Sequence, residues 1–170
     1  MRVEFFVRCV PPRATFQQKR VFYNKHIGRV QFVKNKGLAE AEQDFMSLLA
    51  GHIPAEPFDT AVRLSVIFVY PFRKGDSRKT RKRQLVPMTV KPDFDNLSKT
   101  LCDTMTKLRF WTDDSLVADG RVMKFFGERP GILIRIDAVT DDTAFDGIDG
   151  GTLGVLGVSG YGGDLLRMDK

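Results

Sequence analysis

Five charged side chains within one short stretch of the chain have the types and the spacing of a hydrolytic metal site. Asp93 and Asp95 are two residues apart on the approach to a helical segment, and in extended backbone such a pair projects to one side. Lys99 follows four residues after Asp95, which places it above the same face once the helix begins. Asp113 and Asp114 come after the helix, so a reversal of the chain there would return one of them to the first pair.

The ligand atoms decide which metal such a cluster could hold. Three carboxylates around one point, with no histidine or thiol, form an oxygen site suited to Mg²⁺ or Mn²⁺ rather than to zinc. Clustered carboxylates also repel one another and are rarely tolerated without a cation. Ordinary structural roles remain as alternatives: Asp95 is a plausible N-cap, and Asp113 with Asp114 could cap a short turn. Lys99 could form a surface ion pair with Asp103.

A dense run of cations precedes this stretch. Residues 73–83 carry seven Lys and Arg in eleven positions, and so many like charges predict a solvated loop. We predict that this basic segment binds the phosphates of nucleic acid through Arg73, Lys74, Arg78, Lys79, Arg81, Lys82 and Arg83. Residues 1–83 hold 17 Lys+Arg against 7 Asp+Glu, and this asymmetry also indicates a polyanionic partner. A metal site together with a polyanion-binding segment indicates phosphodiester chemistry.

The elements that must position these residues follow from hydrophobic periodicity. Alternating or continuous apolar runs predict strands over 3–10, 61–70, 120–126 and 131–138. Apolar stripes at helical spacing predict one helix over 38–50 and a second that starts near Asp95. Residues 20–34 read as a hairpin or an ordered loop. The order β, helix, β, helix, β, β predicts an α+β fold with one mixed sheet and two main helices.

Length and composition limit the remaining possibilities. The 170 residues favour a single small domain over 1–138, followed by a flexible tail over 139–170 in which Gly and Asp dominate. Two cysteines and two histidines are too few for a disulfide scaffold or a histidine-rich zinc site. The chain has neither a signal-peptide pattern nor an apolar run long enough for a membrane span. We therefore predict a soluble cytoplasmic protein with no membrane association.

Two motifs in the chain resemble the RusA family of Holliday junction resolvases. These are K-P-D-F-D-N-L-S-K, starting at Lys91, and W-T-D-D-S-L-V, starting at Trp111. In that family a D-x-D-N-L-x-K segment opens a helix, and a D-D-x-x-V segment follows it. Both segments occur here in that order, with the matching residues Asp93, Asp95, Asn96, Leu97 and Lys99, then Asp113, Asp114 and Val117.

The resemblance implies a small α+β homodimer that cuts branched DNA with Mg²⁺ and needs no nucleotide cofactor. The essential carboxylates of the family carry over onto Asp93, Asp95 and Asp114, with Asp113 as a neighbouring acid. The essential lysine carries over onto Lys99. The chain departs from the family pattern in a longer N-terminal region, the basic segment and the tail, which suggests a diverged, phage-borne member.

These observations together predict a Mg²⁺-dependent endodeoxyribonuclease that resolves Holliday junctions by paired phosphodiester hydrolysis in DNA recombination and repair. A two-fold dimer would supply the two symmetric incisions. One alternative is a metal-dependent nuclease that acts on flaps or other branched DNA. Another is a junction-binding protein without catalytic activity. A nucleotide-sugar transferase or a phosphatase is disfavoured, because the chain has neither a Gly-rich phosphate loop nor an N-terminal nucleophilic aspartate.

Overall fold

The computed structural model describes residues 1–13, 19–24, 28–34, 36–140, 143, 144 and 146. The chain divides into two units, Met1–Ala138 and Val139–Lys170, and most of the predicted flexible tail lies outside the described residues. Short 3₁₀ turns occur at Ala50–His52 and Asp114–Leu116. The helices and strands of the first unit are β1 (Arg2–Val7), β2 (Lys19–Asn24), β3 (Arg29–Lys34), α1 (Lys36–Leu49), β4 (Val62–Pro71), α2 (Arg78–Arg81), β5 (Leu85–Pro87), α3 (Phe94–Lys107), β6 (Val117–Gly127) and β7 (Gly131–Ala138).

Five of the strands form one mixed sheet, in the order β1-β7-β4-β6-β5. β4 and β6 are parallel, and the other neighbours are antiparallel. β2 and β3 pair separately as an antiparallel hairpin. The predicted α+β fold with one mixed sheet and two main helices is therefore confirmed. The strand bounds differ from prediction, because β1 already ends at Val7 and β6 begins at Val117.

The core lies between the sheet and the two long helices. Alternate residues of β4 point into it, and Val62, Val66 and Phe68 are fully buried there. The two long helices contribute apolar faces at helical spacing, which consist of Phe45 and Leu49 from α1 and Leu97, Leu101 and Met105 from α3. No helix within the described residues is long and apolar enough to cross a membrane.

A hydrogen-bonded turn ends α3 and directs the chain towards the second acidic pair. Arg109 adopts the left-handed conformation with φ of 62°. Its N–H donates to the carbonyl of Thr106 at 3.0 Å, and the N–H of Phe110 donates to the carbonyl of Met105 at 3.0 Å. This pattern is a Schellman motif, and the buried Phe110 and Met105 form its apolar contact.

The link between α3 and β6 is held further by contacts with a distant segment. The N–H of Phe58 donates to the carbonyl of Phe110 at 2.9 Å, and the N–H of Thr112 donates back to the carbonyl of Phe58 at 3.2 Å. The indole of Trp111 donates to Thr106 Oγ1 at 2.7 Å. These bonds fix the backbone immediately before the second acidic pair.

Replacement of Arg109 by glycine should stabilise the protein. The left-handed conformation strains a residue with a Cβ, whereas glycine adopts it freely but loses more entropy on folding. We expect Arg109→Gly to raise the free energy of unfolding by about 0.5–1 kcal/mol. In a thermal melt this corresponds to a Tm increase of about 1–4 °C. Arg109→Ala is the control, because it removes the same side chain without relieving the strain. Equal Tm values for the two variants would contradict this explanation.

Candidate metal centre and nucleic-acid interface

The first acidic pair lies at the start of α3. The helix begins at Phe94, so its N-cap is Asp93, and the expectation that Asp95 is the N-cap is wrong. The Asp93 side chain makes no capping hydrogen bond, although its backbone has the extended conformation of an N-cap. Asp95 follows in the first helical turn and is exposed, whereas Asp93 is half-buried. The positive end of the helix dipole favours negative charge at both positions.

Two side chains to which the sequence analysis assigned no role support this helix start. Asn96 is buried, and its Nδ2 lies 3.3 Å from Asp95 Oδ1, to which it donates. Lys124 Nζ donates to the carbonyls of Val90 at 3.1 Å and Pro92 at 2.7 Å. The position of Asn96 in the D-x-D-N motif was a weak indication of its role in the sequence. Nothing in the sequence indicated a role for Lys124, because its partners Val90 and Pro92 are more than thirty residues away.

Lys99 lies one helical turn after Asp95, as its spacing predicts. Its Nζ is 3.8 Å from Asp103 Oδ1, so the alternative of a surface ion pair on this helix is present in the structure. The Lys99 side chain is 58% exposed, which leaves its ammonium accessible to a bound phosphate. Its role in catalysis stays a prediction.

The second acidic pair divides into two different environments. Asp113 is the N-cap of the 3₁₀ turn, and its Oδ1 accepts the backbone N–H of Ser115 at 2.9 Å. Hydrogen bonds with the side chain and then the backbone of Ser115 lower the pKa of Asp113. The alternative that Asp113 caps a short turn is therefore confirmed. Asp114, the next residue, is exposed.

The chain reversal does return Asp114 towards α3. The electrostatic influence of Asp114 reaches Cys102 on that helix. Burial raises the pKa of Cys102 to about 11, and the charges of Asp114 and Asp103 also raise it. However, no three His, Cys, Asp or Glu side chains among the described residues are placed so that they could hold one metal ion. In the described structure Asp93, Asp95 and Asp114 are therefore not gathered around one point, and their role as metal ligands stays a prediction.

The length of α3 explains why the three carboxylates do not converge. Asp93 and Asp95 lie at its start, whereas Asp114 approaches the helix near Cys102, about two turns further along. The chemistry of the donors still suits Mg²⁺, because every candidate ligand is a carboxylate oxygen. Mg²⁺ commonly keeps several waters and takes one or two carboxylates together with substrate phosphates, so a closed protein cage is not required.

The basic segment is more ordered than a solvated loop. Residues 78–81 form the short helix α2, and Ser77 caps it by accepting the N–H of Thr80 at 3.1 Å. Arg81 donates to the carbonyls of Arg73 at 2.9 Å and Asp76 at 3.2 Å. The predicted solvated loop is thus mostly exposed, but it contains a short helix, and hydrogen bonds within the segment offset the repulsion of its charges.

Two of the seven cations in the basic segment therefore have structural contacts. Arg73 forms an ion pair with Asp76 at 3.1 Å, and its guanidinium lies 5.3 Å from the ring centroid of Phe126. A hydrogen bond from the backbone N–H of Arg73 lowers the pKa of Asp76. Arg81 lies 5.6 Å from the ring centroid of Phe72. The other five cations are exposed and comprise Lys74, Arg78, Lys79, Lys82 and Arg83.

The basic segment and the first acidic pair lie at the same end of the sheet. The segment leaves β4 at its carboxyl end, where Pro71 pairs with Gly127 of β6, and it enters β5 where Leu85 also pairs with Gly127. The start of α3 is bound to Lys124, close to the same end of β6. Phe94, between the two acids, is 54% exposed and adds an apolar surface. This end of the domain thus combines carboxylates, cations and an aromatic face.

Such a surface on a small α+β domain is suited to the hydrolysis of nucleic-acid phosphodiesters, and sequence comparison identifies the family. The family described as Endodeoxyribonuclease RusA matches residues 10–137. The chain therefore belongs to the RusA family of endodeoxyribonucleases.

Individual relatives agree with this assignment. The chain is 34% identical over 141 residues to the Crossover junction endodeoxyribonuclease rusA of Lactococcus phage r1t, a match that covers 82% of this chain and 100% of the relative. It is 31% identical over 104 residues to YqaN of Bacillus subtilis, which is described as uncharacterized, over 58% of this chain and 72% of that protein. It is also 49% identical over 39 residues to the Crossover junction endodeoxyribonuclease RusA of Escherichia coli, over 23% of this chain and 32% of that protein.

Proposed function

We propose that this endodeoxyribonuclease is Mg²⁺-dependent and resolves four-way DNA junctions in recombination and repair, acting as a homodimer. The observation that carries the proposal is the placement of the uncapped Asp93 carboxylate, the exposed Asp95 and the basic segment at one end of the sheet. Similarity to a phage relative over that protein's whole length supports a junction as the substrate and a phage origin.

Asp93, Asp95 and Asp114 would hold the metal. When bound, Mg²⁺ polarises the scissile phosphate and lowers the pKa of a coordinated water. The carboxylates of Asp93 and Asp95 are attached to one helix start, which fixes the backbone that carries them. Asn96 keeps Asp95 oriented, and because the Asn96 amide is buried, it restrains that carboxylate more than a solvated partner would. Asp113 holds the turn that carries Asp114.

Lys99 would stabilise the charge that grows on the phosphoryl oxygens in the transition state. Its position one turn beyond Asp95 lets the ammonium reach a phosphate beside that carboxylate. A fixed cation contributes most where negative charge develops during the reaction. The ion pair with Asp103 leaves the ammonium solvent-exposed and does not compete strongly with a phosphate.

The five exposed cations of the basic segment would bind backbone phosphates. Such contacts give affinity and orientation with little sequence information, which suits an enzyme that selects DNA by shape. The exposed ring of Phe94 offers a face on which an unpaired base can stack. Paired incision of a junction then follows from two such surfaces related by a two-fold axis.

The carboxylates should be required for incision but not for binding. We expect Asp93→Asn, Asp95→Asn and Asp114→Asn each to abolish cleavage of a synthetic four-way junction in Mg²⁺, while junction affinity is kept or increased because negative charge is lost. Chelation of the metal with EDTA should have the same effect on the parent protein. Asp113→Asn is the matched control, because asparagine also caps and the turn should persist. Cleavage by Asp95→Asn at the parent rate would reject this metal site.

The same assay separates a junction resolvase from other nucleases. Single-turnover rates on a four-way junction, a flap and a linear duplex of equal sequence should be fastest on the junction. Strand mapping should show two symmetric cuts. A preference for the flap would instead identify a flap nuclease, and Mg²⁺-independent junction binding with no cleavage would identify a binding protein.

Loss of Lys99 should lower the rate of junction cleavage rather than the affinity for the junction. Loss of a cation that stabilises developing charge costs about 10²–10³ in rate, so we expect Lys99→Ala to lower the single-turnover rate by that factor. Asp103→Ala breaks the same ion pair but leaves the ammonium in place, so its rate should stay close to that of the parent. If both variants cleave at the parent rate, Lys99 has only the surface ion pair.

The exposed part of the basic segment should set the salt dependence of binding. We expect Arg78→Ala/Lys79→Ala to weaken binding to all DNA shapes and to reduce the slope of log K against log [salt] by about 1.8, which is 0.9 for each lost phosphate contact. Arg2→Ala/Arg135→Ala removes the same net charge from β1 and β7, where both arginines pair with acids. This control should keep the parent slope. Equal slopes for the two double variants would show that the effect is one of net charge.

A further inference from the structure

We propose that Lys124 is a positioning residue for the metal-binding carboxylate of Asp93, an inference that rests on the proposed function. Lys124 lies in β6, and its ammonium donates to the carbonyls of Val90 at 3.1 Å and Pro92 at 2.7 Å. Its own backbone carbonyl accepts the N–H of Met88 at 2.9 Å. One residue of the sheet thus binds the connection between β5 and α3 at three points.

The bond to Pro92 acts directly on Asp93. The carbonyl of Pro92 belongs to the planar peptide unit that joins it to Asp93, so fixing this carbonyl also fixes the Asp93 nitrogen and Cα. On the other side, the Asp93 carbonyl accepts the N–H of Leu97 at 3.1 Å. The Asp93 side chain has no capping hydrogen bond of its own. The placement of its carboxylate therefore depends on these two backbone restraints.

The connection has few other restraints. β5 contains three residues at the edge of the sheet and pairs only with β6 in the described sheet. Thr89, Val90 and Lys91 are exposed, so packing does little to hold them. A lysine suits this task, because its ammonium has several donors and can bind two carbonyls at once. Met88 and Pro92 at the two ends of the segment are buried, so the Lys124 side chain restrains chiefly the exposed residues between them and the Pro92 carbonyl next to Asp93.

The test separates positioning from a merely structural contact by comparing Lys124 with a lysine of α3, the helix that begins after Asp93. Lys107 also binds a partner at 3.1 Å, the buried Glu42, and its loss should lower stability without moving Asp93. The full chain is compared as Lys124→Met, Lys124→Arg, Lys107→Met and Asp93→Asn. The readouts are Mn²⁺ binding in the absence of DNA by electron paramagnetic resonance, Tm, and the Mg²⁺ dependence of single-turnover junction cleavage.

We expect Lys124→Met to weaken Mn²⁺ binding by about 10–100-fold, as is typical when a group that orients a metal ligand is lost. The Mg²⁺ concentration for half-maximal cleavage should rise in parallel, with unchanged junction affinity. Lys124→Arg keeps the charge and the donors and should restore most of the Mn²⁺ affinity. Lys107→Met should lower Tm and leave Mn²⁺ affinity at the parent value. If Lys124→Met does not fold, Lys124→Gln replaces it with the same expectation.

The outcomes distinguish this inference from the proposed function beneath it. Parent-like Mn²⁺ affinity in Lys124→Met, with affinity lost in Asp93→Asn, overturns the role of Lys124 and leaves the metal site in place. Parent-like affinity in Asp93→Asn overturns the metal site, and the role of Lys124 with it. An equal loss of affinity in Lys107→Met shows a general effect of stability and also overturns the positioning role.

Discussion

The parallel pairing of β4 with β6 is the constraint on which the rest of the structure depends. Parallel strands cannot be joined by a tight turn, so the chain must cross from the carboxyl end of one to the amino end of the other. Here the crossover contains the basic segment, β5 and α3. The basic segment follows β4 directly, and β5 then runs back beside β6 before α3 begins, so both adjoin the carboxyl-terminal part of β6. This path brings the cations and the first acidic pair to the same part of β6.

The same crossover separates the two acidic pairs. α3 has to span the sheet before β6 can begin, so Asp93 and Asp114 are attached at opposite ends of a helix about 21 Å long. Asp114 folds back far enough for its charge to act on Cys102.

Sequence reasoning found the features that depend on local pattern. The alternation in β4 and the stripe of Leu97, Leu101 and Met105 predicted buried faces, because burial repeats with the period of the element. It missed features that depend on tertiary pairing. The order within residues 73–83 comes from Arg81 reaching back to carbonyls of its own segment, against the repulsion that the charge run implies. The contact of Lys124 with Pro92 exists only because β5 pairs with β6, which no spacing in the sequence reveals.

The distribution of ion pairs gives the acidic helix start its chemical character. Lys99 pairs with Asp103, Lys107 with Glu42 and Arg73 with Asp76. Asp93 and Asp95 lie at the positive end of the α3 dipole, and the Asn96 amide donates to Asp95. The fold thus places two carboxylates at one helix start, where the helix dipole favours negative charge.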